Sequence, residues 1–119
     1  MRTIEFFEPE RRQFRQIGGD GGDVRIALDV GRDRSTTIGC GIAVFENCAL
    51  EWTVTYEEYI YCLEGILTLR TDAGSLILKP GCAAWLPEGT RLTYEATEKT
   101  VALYSMYPVN WRDRDKTDR

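Results

Sequence analysis

The residues best suited to chemistry in this chain are a glutamate and a tyrosine that strand alternation places on one face. Glu58 shares the inner face of a predicted strand with Ile60 and Cys62, whereas Glu57 points outward, so the two glutamates are not a paired acid/base couple. Burial among apolar side chains would raise the pKa of Glu58 and suit it to proton transfer. Glu58 is therefore a candidate catalytic acid or base, with Tyr94 as a candidate donor to it or to a ligand. The alternative is that Glu58 only hydrogen-bonds a tyrosine or backbone group.

A second group of side chains is predicted to bind a ligand in the same cavity. Alternation places Trp52 and Val54 on one face of their strand, and if that face is the inner one, Trp52 either lines the cavity as a stacking wall or fills it. Tyr94 is two residues after Leu92 and shares its face. The ligand-binding candidates are Trp52, Val54, Tyr56, Cys62 and Leu92.

Metal chemistry is not favoured by the residue types present. The chain has no histidine, the usual ligand of transition metals, and its four cysteines form no CxxC pair. Cys40, Cys48, Cys62 and Cys82 are predicted to be buried, unpaired thiols. We expect no metal and no cofactor, although a zinc site built from Glu58 and inward cysteines stays open as an alternative.

Length, charge and hydropathy define the class of protein. A chain of 119 residues and 13.6 kDa suits one domain. A net charge of −4 and a pI near 4.9 disfavour nucleic acid as a partner, and the basic cluster 11–15 is predicted to be a solvated surface. There is no apolar run long enough for a membrane span and no visible secretory signal, so we expect a cytoplasmic protein with no membrane partner.

Short strands separated by turn residues dominate the chain. The predicted strands are Val24–Val30, Thr36–Phe45, Ala49–Thr55, Tyr59–Arg70, Ser75–Leu78, Ala83–Leu86, Leu92–Tyr94 and Thr100–Tyr107. Residues 72–74 predict a hairpin, and residues 79–81 and 87–89 predict tight turns. Only residues 6–16 are a candidate helix. The expected organisation is an N-terminal arm and Gly-rich link at 1–23, a barrel at 24–111, and a polar, disordered tail at 112–119.

Two motifs give this pattern a specific form. The stretch 57–65, which ends in Leu-Glu-Gly, and the glycine, five residues and Pro-x-Gly of 81–89 resemble the two conserved motifs of the cupin superfamily. The resemblance implies an all-β, single-domain, RmlC-like jelly-roll barrel, with Glu58 at a metal-binding position. The positions of the three cupin histidines hold Trp52, Val54 and Leu92 here, or Glu51 and Thr53 for the first two under a longer spacing.

One branch of that superfamily is more similar still. The Trp-Thr-x-x-Tyr-Glu-Glu of 52–58 and the Pro-x-Asn-Trp of 108–111 resemble the cupin domain of the ethanolamine-utilisation EutQ family. The resemblance implies a role in ethanolamine or acetate metabolism, through a small metabolite bound in a metal-free cavity. Two alternatives stay open: an enzyme that uses Glu58 as acid or base, of acetate kinase or lyase/isomerase type, and a structural partner in a microcompartment.

The outer face of the predicted barrel indicates self-association. Tyr59, Tyr61 and Leu63 alternate away from the cavity and would leave an apolar face exposed to water. We expect a homodimer in which this face and the N-terminal arm around Ile4, Phe6 and Phe7 contact the second subunit.

Overall fold

Nine strands form one antiparallel sheet in the part of the chain that the computed structural model describes, residues 3–113. In chain order they are β1 (Arg15–Gln16), β2 (Gly22–Val30), β3 (Gly39–Thr53), β4 (Glu57–Glu64), β5 (Leu67–Thr71), β6 (Gly74–Leu78), β7 (Ala83–Leu86), β8 (Arg91–Ala96) and β9 (Thr100–Tyr107). Two short 3-10 turns, Pro9–Arg11 and Gly19–Gly21, precede β1 and β2. The predicted all-β class is confirmed.

The long strand β3 joins the two halves of the sheet. Its residues 39–45 pair with β9 and its residues 48–53 pair with β8, while β2 pairs along its other edge. One half therefore runs β1, β2, β3, β9, β4, β7, and the other runs β3, β8, β5, β6. Because β3 belongs to both halves, the sheet folds over into a nearly closed antiparallel barrel with an interior between the halves.

Alternation along the strands builds that interior. On β4, Glu58, Ile60 and Cys62 are buried, while Tyr59 and Leu63, at the alternate positions, are about half exposed. The same alternation buries Leu92 and Tyr94 on β8, so apolar side chains from both halves of the sheet meet in one core. Within the described residues, no helix is long and apolar enough to cross a membrane.

A glycine divides the long strand predicted at Tyr59–Arg70. Gly65 has a φ of +82°, and a Cβ there would lie 2.5 Å from the carbonyl oxygen of Lys99. Only glycine adopts this conformation at such close approach without strain. The chain turns at this point, so β4 ends at Glu64 and β5 begins at Leu67, and the prediction of one strand was wrong.

Two further predictions are corrected by the structure. The segment 6–16 is not a helix: its only regular elements are the turn Pro9–Arg11 and the strand β1, because Pro9 lacks a helical donor and Arg12, with extended backbone, is held by a two-pronged bond to Asp29 at 2.8 and 2.9 Å. The strands predicted at Thr36–Phe45 and Ala49–Thr55 merge into the single strand β3, in which Asn47 takes a φ of 47° without ending the strand, and the predicted residues 36–38 and 54–55 lie outside it. Most of the predicted disordered tail, residues 114–119, and the first two residues of the arm lie outside the described residues.

Candidate functional site

The interior of the barrel contains a cavity of about 550 Å³. Its walls come from both halves of the sheet and from the segment that follows β9. The lining side chains are mostly apolar or aromatic, with a few polar ones among them. They are Gln13, Arg15, Ile17, Val24, Ile26, Leu28, Arg32, Ala43, Phe45, Leu50, Trp52, Tyr56, Glu58, Ile60, Tyr94, Tyr104, Met106, Val109, Trp111 and Arg112.

A buried carboxyl and a buried phenol form the polar centre of the cavity wall. Glu58 projects inward from β4 and Tyr94 from β8, and the Tyr94 hydroxyl donates a hydrogen bond to Oε1 of Glu58 at 2.6 Å. Both residues are almost inaccessible, with 7% and 5% of their surface exposed. The Tyr94 ring stacks on Phe45 with ring centroids 5.7 Å apart, which fixes the direction of the hydroxyl.

Burial sets the protonation of this pair. Removal from water raises the pKa of Glu58 to about 7, and the hydrogen bond from Tyr94 partly opposes that rise by stabilising the ionised form. Burial also raises the pKa of Tyr94 well above its ordinary value, and the charge of Glu58 adds to the effect. Glu58 can therefore hold or release a proton near neutral pH, while Tyr94 stays a donor.

Three aromatic rings form one wall of the cavity. The indole N–H of Trp52 donates to the hydroxyl of Tyr56 at 3.0 Å. Trp111 lies edge-on to Trp52 at 6.4 Å and tilted against Tyr56 at 4.9 Å between ring centroids. Trp52 is partly exposed and borders open cavity, so it lines the cavity and does not fill it.

The structure brings four of the seven predicted site residues to the cavity wall. Glu58, Tyr94, Trp52 and Tyr56 all line it. The other three predicted ligand-binding residues face inward but do not reach it. Val54 and Cys62 are fully buried in the apolar core, and Leu92 borders a separate, more polar cleft beside Trp52 on the other half of the sheet.

Other lining residues were not predicted from the sequence. Tyr104 lies on β9 opposite Ile60, and its inward position follows from the alternation with buried Ala102. Burial, with the nearby charge of Glu58, raises the pKa of its hydroxyl. The arginines at the cavity mouth carried no such signal, because Arg15 belongs to the basic cluster predicted to be a solvated surface.

The cysteines are only partly as predicted. All four are free thiols, but Cys82 is exposed, and only Cys62 is fully buried; Cys40 and Cys48 lie between these extremes. Cys82 is exposed because it follows the tight turn at Gly81, outside the regular alternation of β7. Burial raises the pKa of the thiols of Cys40, Cys48 and Cys62, which keeps them protonated.

The donor set at the cavity does not fit a transition metal. Glu58 is the one carboxylate among the described lining residues, and its Oε1 already accepts from Tyr94. Across residues 3–113, no group of three or more cysteine, aspartate or glutamate side chains is placed to hold a metal ion. The zinc site considered from Glu58 and inward cysteines is not assembled, since Cys62 lies in the core beyond the cavity wall.

The barrel has the fold of the cupins. An RmlC-like cupin from Shewanella frigidimarina superposes with a TM-score of 0.72 at 15% identity, over 89% of this chain and 92% of that chain. A crystal structure of the ethanolamine utilization protein EutQ from Salmonella typhimurium superposes with a TM-score of 0.80 at 22% identity, over 89% of this chain and 87% of that one.

The chain belongs to the EutQ family. The family model "Ethanolamine utilisation protein EutQ" matches residues 8–113. Acetate kinase EutQ of Escherichia coli K12 is 30% identical over 80 residues, which are 67% of this chain and 34% of that protein. Acetate kinase EutQ of Clostridioides difficile is 23% identical over 83 residues, 70% of this chain and 53% of that protein. The match thus spans about a third to a half of these relatives.

Proposed function

We propose that this chain binds a small metabolite in its barrel cavity, as a EutQ-family cupin acting in ethanolamine or acetate metabolism. The observation that carries the proposal is the cavity of about 550 Å³, with the Glu58–Tyr94 pair on its wall. Small-molecule sites have volumes of about 300–1,000 Å³, apolar walls and a few convergent polar groups. The metabolic context rests on the names of the family and its relatives.

The energetics of the polar pair support a binding role. Burial of an ionised carboxyl costs free energy, and the raised pKa of Glu58 is a consequence of that cost. Two apolar side chains would fill the same positions at no such cost. Ionisable groups with strongly shifted pKa values beside a cavity are typical of functional sites. The pair is therefore better explained by a ligand that it contacts than by the stability of the barrel.

A titration panel tests the binding role. Ethanolamine, acetate, acetyl phosphate and a set of small carboxylates, amines and alcohols would be titrated by calorimetry, with thermal unfolding in parallel. We expect at least one class to bind at one site per chain and to raise the Tm. Tyr94→Phe should weaken that binding, whereas Tyr59→Phe, on the outer face, should not. Failure of the whole panel at millimolar concentration would overturn the proposal.

An activity assay with acetate and ATP separates binding from catalysis. Formation of acetyl phosphate from acetate and ATP, lost in Glu58→Gln, would instead make this chain an enzyme.

The proposed compartment is the cytoplasm, with which four free thiols are consistent, since thiols stay reduced there.

We also propose that the chain forms a homodimer through the outer face of β4, β7 and β9. Tyr59 and Trp85 are cross-strand partners and are 48% and 63% exposed, and Leu103, opposite Tyr61, is 43% exposed. These side chains carry no charge, whereas the chain carries −4 overall. Two copies can pack these uncharged side chains together, with the exposed Glu57 at the beginning of β4 on the same face, and a two-fold axis would cover the same apolar area on both.

Sedimentation tests the homodimer. We expect a dimer at micromolar concentration and a monomer for Trp85→Glu. Ile77→Glu is the matched control: Ile77 is a similarly exposed apolar residue, but it lies on β6, at the opposite end of the strand order from β7. A wild-type monomer, or equal effects of the two variants, would contradict a dimer through this face. Assemblies larger than a dimer would favour the alternative role as a structural partner in a microcompartment.

A further inference from the structure

The mouth of the cavity is positively charged although the chain is acidic. Three arginines from separate parts of the sequence line it: Arg15 on β1, Arg32 after β2, and Arg112 after Trp111. Among the described lining residues, the one carboxylate is Glu58, which is protonated below about pH 7. The cavity thus concentrates positive charge against an overall charge of −4.

These three arginines differ in the ion pairs and ring contacts that they make. Arg32 forms an ion pair with Asp113 at 2.8 Å, but both side chains are about half exposed, so the pair is weak and leaves other guanidinium donors available. The guanidinium of Arg112 lies 4.8 Å from the centre of the Trp111 ring, which holds it beside the aromatic wall. Within residues 3–113, no carboxylate forms an ion pair with Arg15.

The lining of the cavity therefore changes from positively charged at the mouth to apolar and neutral in the interior. The exposed arginines lie at the mouth, and apolar side chains such as Val24, Phe45 and Ile60 form the walls. The buried Glu58–Tyr94 pair offers a neutral hydrogen-bonding group among them. A guanidinium binds carboxylates with paired hydrogen bonds, whereas it repels an ammonium group.

We propose that the ligand is an organic carboxylate with an apolar body, and not a cation such as ethanolamine. The carboxylate lies at the arginines of the mouth, and the body packs against the aromatic and aliphatic walls. The size of the cavity favours such a body: acetate has four non-hydrogen atoms, and at about 30 Å³ for each water-sized group it would leave most of about 550 Å³ to water. This inference rests on the proposal that the cavity binds a small molecule.

The test uses three probes that share one body and differ in charge. All three contain a phenyl ring as the apolar body. The polar group is a carboxylate in phenylacetate, a hydroxyl in 2-phenylethanol and an ammonium in 2-phenylethylamine. Acetate and ethanolamine carry charged groups without the phenyl ring. Binding to the full chain would be measured by calorimetry and by quenching of tryptophan fluorescence near pH 6. We expect phenylacetate to bind about tenfold or more tightly than the amine and than acetate, with an affinity that falls as salt rises.

Arginine variants locate the charge effect. Arg15→Gln and Arg112→Gln should each weaken phenylacetate binding several-fold, and should weaken 2-phenylethanol binding much less. Arg11→Gln is the matched control, because Arg11 belongs to the same basic cluster but pairs with Glu8 outside the cavity.

The outcomes separate the two proposals. If the amine or the alcohol binds as tightly as phenylacetate, or if Arg11→Gln matches the cavity variants, the carboxylate inference is overturned while the binding role stands. If none of these probes binds, the carboxylate inference is overturned, and the binding role is overturned as well when the wider titration panel also fails.

Discussion

The buried carboxyl of Glu58 should make the stability of the barrel depend on pH in a defined direction. Its pKa is about 7 in the folded chain, against an ordinary value of 4.5, so the folded state holds a proton that the unfolded chain has released. Between these two values the folded state binds more protons, and the free energy of unfolding falls as pH rises. The contribution is fully present below about pH 4.5 and is lost as pH rises through about 7.

The size of this effect follows from the shift. At about 1.4 kcal/mol per pKa unit, the whole change is about 3 kcal/mol, of which about 2 kcal/mol falls between about pH 5.5 and 8.5. Glu58→Gln removes the titrating group but keeps an oxygen that accepts from Tyr94. The stability advantage of the wild type over Glu58→Gln should therefore shrink by about 2 kcal/mol across this range.

Urea unfolding followed by tryptophan fluorescence, at steps across this pH range, measures the difference directly. Glu57→Gln is the matched control: it removes the adjacent carboxylate, which is exposed on the opposite side of β4. The difference between wild type and Glu57→Gln should stay nearly constant. If the difference between wild type and Glu58→Gln also stays constant, Glu58 does not titrate as a buried group, and the reasoning is refuted.

Three other substitutions test how the barrel holds the site. Tyr94→Phe removes the hydrogen bond that stabilises ionised Glu58, so the pKa of Glu58 should rise further; a carboxyl titration by NMR that moves to lower pH would contradict this. Ile60 is only 1% exposed, so Ile60→Ala opens a void beside the cavity and should lower the free energy of unfolding in urea by about 2–5 kcal/mol. An unchanged free energy of unfolding would show that the surrounding side chains close the void. Gly65→Ala forces a Cβ against the Lys99 carbonyl at positive φ and should lower the Tm by several degrees; an unchanged Tm would show that the turn relaxes at little cost.

Strand alternation made most of the barrel predictable. It requires only a count of every second residue, and on β4 and β8 it correctly buried Glu58, Ile60, Leu92 and Tyr94. Strand bounds were less predictable where a turn residue is ambiguous. Gly65 can sit inside a bent strand or end one, and the close approach of the Lys99 carbonyl, which decides the matter, is a contact distant in sequence.

The cavity wall was harder to predict than the direction of each side chain. Val54 and Cys62 face inward as expected, yet they pack in the core, because alternation gives the face of a residue and not its height along the barrel. The arginines at the mouth were missed for a different reason. Arg15, Arg32 and Arg112 converge only through the pairing of β1 with β2 and through the return of the chain after β9, and neither has a local sequence signal.

The residues at the cupin histidine positions determine the surroundings, and therefore the pKa, of Glu58. At the positions that the cupin motif gives to histidines, Val54 and Leu92 are apolar and lie off the cavity, and Trp52 brings an aromatic wall. Glu58 then has a phenol for a partner, and no cationic side chain of residues 3–113 forms an ion pair with it, so burial prevails and its pKa rises toward neutrality. The positive charge of the cavity lies instead at the exposed mouth, where arginines remain hydrated. An inner wall that is neutral below pH 7 and a cationic mouth give the cavity a polarity, and the proposed binding of a carboxylate with its charge at the mouth follows from this polarity.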